Sequence, residues 1–131
     1  MNHFGFTKLL VRDLDKVANF YQEVFGLTEL ARVDSDIAGR AISEIMFHPT
    51  AEGTATFVLL KFLDIEAPSA DEVIVGFQTD DVARVVERTR AAGGAVVDPV
   101  RSMPEHGVKV AFVKDVEGHL IEVVELLEGG Q

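Results

Sequence analysis

Twenty-two acidic residues against twelve basic ones in a chain of 131 give a formal net charge of −10, which offers no positive surface to nucleic acid or anionic lipid. At 47% hydrophobic residues the chain is too apolar for a disordered acidic segment, and its length suits one domain with a sizeable core. Having no cysteine removes disulfides, thiol nucleophiles and thiolate metal sites together. The longest apolar runs, such as Phe57 to Leu60, fall far short of the ~18 residues of a membrane span, and no basic-then-apolar leader opens the sequence. A cytoplasmic globular domain, with no nucleic-acid or membrane partner, is the expectation.

The first element in chain order is a strand-like run from Phe6 to Val11. Val17, Phe20, Tyr21, Val24 and Phe25 follow at the spacing of one helix face. Asp13 is placed to cap that helix, and Gly26 to end it in the left-handed conformation. Three strands are predicted next, over Leu27–Val33, Ala41–Phe47 and Thr56–Phe62. The pattern then restarts: a strand at Val73 to Phe77, a cap at Asp80, a helix face of Val82, Val85, Val86 and Thr89, and a stop at Gly93. Strands over Ala95–Pro99, Val108–Val113 and Leu120–Leu126 complete it. Asp13 to Asp80 and Gly26 to Gly93 are both separated by 67 residues, so the chain reads as one βαβββ unit used twice. The first module is assigned to 4–63, the linker to 64–71, the second module to 72–127 and a disordered tail to 128–131, all within one domain.

Side chains alternate along a strand. In the last one, Ile121 and Val123 share one face, and Leu120, Glu122 and Val124 share the other. Both faces are apolar, so both are covered, and Glu122 is an ionisable group in apolar company. That is costly unless the carboxylate is paired or bound to something.

The repeated order, the opening Val11-Arg12-Asp13-Leu14-Asp15-Lys16 with Phe20-Tyr21 and Phe25-Gly26-Leu27, and the closing Phe112-Val113-Lys114-Asp115-Val116-Glu117-Gly118-His119-Leu120-Ile121-Glu122 together resemble the vicinal oxygen chelate superfamily. That group includes glyoxalase I, the bleomycin-resistance proteins, methylmalonyl-CoA epimerase and the extradiol dioxygenases. The resemblance implies an α+β fold in which two βαβββ modules form a cup-shaped, partly closed sheet, and it implies a homodimer. In metal-dependent members four strand residues, usually His and Glu, hold one divalent ion that a substrate chelates through adjacent oxygens. The positions matching those ligands are Phe6, about Leu59, Ile74 and Glu122. Only Glu122 is a ligand type. The resemblance therefore implies no metal and no other cofactor here, a divalent ion being possible only if the ligand positions are misaligned.

Glu122 is the candidate catalytic residue, either a general base or polar contact at the base of an apolar pocket, or an internal hydrogen-bond anchor to Lys8, Lys61 or Gln78. Lys8 and Lys61 are in phase with Phe6 and Leu59, as solvated strand-end lysines or as partners of Glu122 or an anionic ligand. Phe6, Phe57, Leu59 and Ile74 would make the cup greasy, which favours an apolar or aromatic small-molecule ligand. His106, in the loop Met103-Pro104-Glu105-His106-Gly107, is a loop residue or a ligand contact; His3, His48 and His119 read as exposed, loop and structural residues. The leading functional reading is a glyoxalase/bleomycin-resistance-like protein with a degenerate metal site, binding its ligand without chelation. The alternative is a glyoxalase-type lyase or isomerase with Glu122 as base, so the sequence leaves open whether the chain is an enzyme.

Overall fold

The structure, a computed structural model, describes residues 3–66 and 68–127; the predicted tail, 128–131, lies outside them. The chain divides into unit 1, Met1–Gln22 with Gly26–Pro68, and unit 2, Glu23–Phe25 with Ser69–Gln131.

Unit 1 carries β1 (Phe6–Leu10), most of α1 (Leu14–Phe25), β2 (Glu29–Ile37), β3 (Arg40–Phe47) and β4 (Thr56–Phe62). Asp13 caps α1, its carboxylate accepting from the Lys16 backbone N–H, and Gly26 ends it at φ 69°. The sheet order is β1-β4-β3-β2, with β1 parallel to β4 and the other pairs antiparallel. Val17, Phe20 and Tyr21 of α1 are buried, as are Leu9, Ile45, Phe47 and Leu59 of the sheet. The Tyr21 ring lies 5.1 Å from that of Phe57, which identifies the helix-covered face. Each fully buried large side chain there contributes about 1.5–3 kcal/mol of burial free energy.

Unit 2 repeats the plan with β5 (Ile74–Gln78), α2 (Val82–Ala91), β6 (Ala95–Met103), β7 (Val108–Lys114) and β8 (Leu120–Leu126). Its order is β5-β8-β7-β6, with β5 parallel to β8. The α2 cap is Asp81, not Asp80: its carboxylate accepts from the Arg84 N–H, three residues on. A single turn of 3-10 helix (Pro104–His106), which the sequence pattern did not reveal, joins β6 to β7. Val82, Val85, Val86 and Thr89 form the buried helix face. Glu125 accepts the Val82 backbone N–H at 2.8 Å, so the face holding Ile121, Val123 and Glu125 is the one α2 covers.

The predicted α+β fold of two βαβββ modules is what the chain adopts, as two four-stranded sheets. Among the described residues no helix is long and apolar enough to cross a membrane.

Candidate functional site

Register fixes which side chains share a face, because residues opposed across a strand pair point the same way. In unit 1, Lys8 opposes Val58 and Leu10 opposes Leu60 on β4, while Met46 and Glu44 of β3 oppose the same two residues. Phe6, Lys8, Val58, Leu60, Glu44 and Met46 thus share the face turned away from α1. In unit 2, Gly76 opposes Glu122 and Gln78 opposes Val124, with Phe112 and Val110 of β7 opposing the same pair. Ile74, Gly76, Glu122, Val124, Phe112 and Val110 are the corresponding set, so Phe6 matches Ile74, Lys8 matches Gly76, Val58 matches Glu122 and Glu44 matches Val110.

The phase of β4 is therefore a correction. Phe57, Leu59 and Lys61 lie on the helix-covered face: Phe57 meets the Tyr21 ring, Leu59 is fully buried opposite Leu9, and the Lys61 Nζ donates to the Arg12 carbonyl at 2.8 Å. Val58, rather than Leu59, is the repeat partner of Glu122. A valine offers no more to a cation than a leucine does.

Phe6 and Ile74 lie on the helix-distal faces, 56% and 58% exposed. Glu122 is half-buried. Its strand neighbours are Phe112 and Gly76, and a Cβ built on Gly76 meets nothing within 4 Å. The carboxylate thus has an aromatic ring on one side and unfilled space on the other. Lys8 and Lys61 find hydrogen-bond partners within unit 1, and no hydrogen bond or ion pair joins Glu122 to Gln78 or to another described residue of unit 2.

Lys8 is engaged within its own unit. Its Nζ donates to Glu44 Oε1 at 2.9 Å, with 31% of the Lys8 side chain and 10% of the Glu44 side chain exposed, and it lies 5.6 Å from the Phe6 ring centroid. Glu44 escaped the sequence reading. A carboxylate at the centre of Ala41–Phe47, the same signal that marked Glu122, was there to be read. His106 is exposed on the 3-10 turn. It lies beyond the start of β7, and Val108, the first residue of that strand, is already four residues from Phe112, roughly 13 Å at strand rise, so unit 2 does not bring it to Glu122.

His119 has the structural place expected of it. Its ring Nδ1 lies 2.8 Å from Asp115 Oδ2 and 3.0 Å from Oδ1, and both side chains are buried. A carboxylate can only accept, so Nδ1 carries the proton. Asp115 Oδ1 also accepts from the Glu117 and His119 backbone N–H groups at 2.9 and 3.0 Å. Burial pushes this carboxyl up, but the His119 ring hydrogen bond, the His119 charge and the two backbone donors outweigh it and hold it below the ordinary carboxylate value. The network locks the turn that starts β8, two residues before Glu122.

As for a metal, Phe6, Val58 and Ile74 have no donor atom, and the described residues hold no group of three or more His, Asp or Glu side chains arranged to bind an ion. The residues present at these positions do not fit a divalent ion, which needs three or four converging N or O ligands.

A family model described as the Glyoxalase/Bleomycin resistance protein/Dioxygenase superfamily matches residues 1–123. The chain is 32% identical over 120 residues to a lactoylglutathione lyase of Arabidopsis thaliana, covering 88% of this chain and 41% of that protein. It thus spans about two-fifths of that plant relative's length. A lactoylglutathione lyase of Neisseria meningitidis is 28% identical over 125 residues, covering 94% of this chain and 90% of its own. A glyoxalase family protein of Bacillus cereus shares the fold at a TM-score of 0.80 and 20% identity, covering 97% and 95% of the two chains.

Proposed function

This chain belongs to the Glyoxalase/Bleomycin resistance protein/Dioxygenase superfamily, and from that premise we propose that it binds a small apolar or aromatic molecule without metal chelation. The observation that carries the reading is the helix-distal face of unit 2. There an exposed Ile74, the Phe112 ring and the gap over Gly76 surround one unpartnered carboxylate, Glu122. Mostly apolar surface with a single well-placed polar group is the usual make-up of a small-molecule site. Glu122 orients the ligand by accepting a hydrogen bond from it. The metal site of the family is degenerate in this reading, because hydrocarbon stands at three of its four positions. The chain works as a homodimer, which the apolar side chains of Leu30 on β2 and Val97 on β6, exposed on edge strands, support.

A second reading, a glyoxalase-type lyase or isomerase with Glu122 as the base, is favoured by the names of the relatives. The test separates the two. Methyl NMR titration with p-cresol should give saturable shifts at Ile74 and Val124, lost in Gly76→Val, whose Cβ meets no other atom within 4 Å and whose methyls occupy the gap. Absence of those shifts, together with lactoylglutathione lyase turnover that Glu122→Gln abolishes, would replace the first reading by the second. Native mass spectrometry reads the dimer directly.

A further inference from the structure

The repeat provides an internal control for the polar groups on the helix-distal faces. Unit 2 places Gly76 and Val110 where unit 1 places Lys8 and Glu44. The sheet therefore needs no charge at either position to fold. Taking two charges out of water is poorly repaid by their attraction, and an apolar pair of similar size is commonly as stable or more so. The Lys8–Glu44 pair, set among buried Ile42, Val58 and Leu60, is thus not explained by stability alone.

Its geometry is asymmetric. Glu44 is nearly enclosed, whereas Lys8 keeps about a third of its side chain exposed. Among the described residues one hydrogen bond, to Glu44 Oε1, holds the ammonium, and an ammonium has three N–H donors. The carboxylate, two strands away on β3, draws the ammonium from the edge strand β1 across β4 and over the helix-distal face, still 5.6 Å from the exposed Phe6 ring. A ligand reaching Lys8 meets donated N–H together with aromatic surface. The Lys8–Glu44 pair is neutral as a whole, so a carboxylate drawn to Nζ keeps only the attraction left after repulsion from Glu44, bonded to the same nitrogen, and the chain's net charge of −10 reduces it further. A neutral oxygen suffers neither.

We propose that the Lys8–Glu44 pair on the helix-distal face of unit 1 is a ligand-binding element that donates a hydrogen bond to the carbonyl oxygen of a neutral, apolar or aromatic ketone, aldehyde or amide. This goes beyond the small-molecule reading above, which concerns unit 2, and gives unit 1 a ligand class of its own.

The test is a methyl NMR titration of the full chain with acetophenone, ethylbenzene and benzoate, following Ile42, Val58 and Leu60. Acetophenone should bind roughly tenfold more tightly than ethylbenzene, the difference a net hydrogen bond to a charged donor can supply. Benzoate should bind no better than the hydrocarbon. The double variant Lys8→Met/Glu44→Leu removes both charges and leaves none orphaned. It should retain ethylbenzene binding and lose the preference for acetophenone. Glu44→Gln keeps an acceptor for Lys8 while deleting the repulsion, so benzoate should gain affinity. Equal binding of acetophenone and ethylbenzene to the native chain would overturn the carbonyl inference and leave the small-molecule reading standing. Unchanged discrimination in the double variant would do the same. Failure of all three probes to shift these methyls would overturn the proposal for unit 1, while the p-cresol titration at Ile74 and Val124 judges the reading of unit 2 separately.

Discussion

Replacing Asp115 by alanine removes the acceptor for three donors at once. The His119 ring N–H and the His119 backbone N–H are buried, while the Glu117 N–H sits where the bond is only part-buried. Water can substitute for the carboxylate at the last of these but not at the first two. A buried donor left without a partner costs about 1–3 kcal/mol, so Asp115→Ala should destabilise the chain by about 3–4 kcal/mol. In a domain of this size that is roughly 10–15 °C of Tm. Asp115→Asn keeps a carbonyl oxygen for the backbone donors and should cost only about 1 kcal/mol, the imidazole changing tautomer to accept from the new amide. The carboxyl of Asp115 is held below its ordinary value in the folded state, so its contribution is fully present above the unfolded value of about 3.9 and is lost as pH falls through the folded one. Urea denaturation followed by far-UV circular dichroism, at neutral pH and through the acid range, reads both effects. The stability gap between native chain and Asp115→Asn should narrow below pH ~4. A loss under about 0.5 kcal/mol for the alanine variant, or identical acid slopes for native chain and Asn variant, would refute this account of the turn.

Because no described residue pairs with Glu122, Glu122→Gln should leave stability within about 0.5 kcal/mol of native in the same denaturation assay; a loss of several times that would restore the anchor role. Lys8→Met alone strands the nearly enclosed Glu44 carboxylate and should cost about 2 kcal/mol, whereas Lys8→Met/Glu44→Leu should cost less than half as much, a coupling that a double-mutant cycle measures. Ala38 and Gly39 form the two-residue turn between Ile37 and Arg40 with φ of 51° and 79°. Asparagine tolerates the left-handed region better than alanine, so Ala38→Asn should raise stability by about 0.5–1 kcal/mol in a thermal melt.

The architecture was legible in the sequence because its signals were periodic. Helix faces such as Val17, Phe20 and Tyr21, and stops such as Gly26 and Gly93, carry spacing that survives without coordinates, and the repeat made each module check the other. The α2 cap slipped by one residue because Asp80 and Asp81 both have the right chemistry, and only the bond to the Arg84 N–H distinguishes them. The face assignment of β4 failed for a deeper reason. Thr56–Phe62 is apolar on both faces, so alternation carries no phase information. The lysine at position 61, taken as facing the cup, snorkels along the helix-covered face to the Arg12 carbonyl. Phase there is set by the parallel register with β1, a long-range fact. Glu44 and Gly76 stayed invisible as site residues for a similar reason, since their interest lies in what stands beside them across strands.

Elemental analysis of the full chain, purified without a histidine tag and dialysed without added metal, tests the central claim most directly. A catalytic ion needs three or four converging ligands, and of the positions matching the family's ligands only Glu122 carries a donor atom, the others being Phe6, Val58 and Ile74. No stoichiometric zinc, nickel, iron or manganese is expected. About one divalent ion per chain, lost on Glu122→Ala, would contradict it and return metal-assisted lyase chemistry to first place.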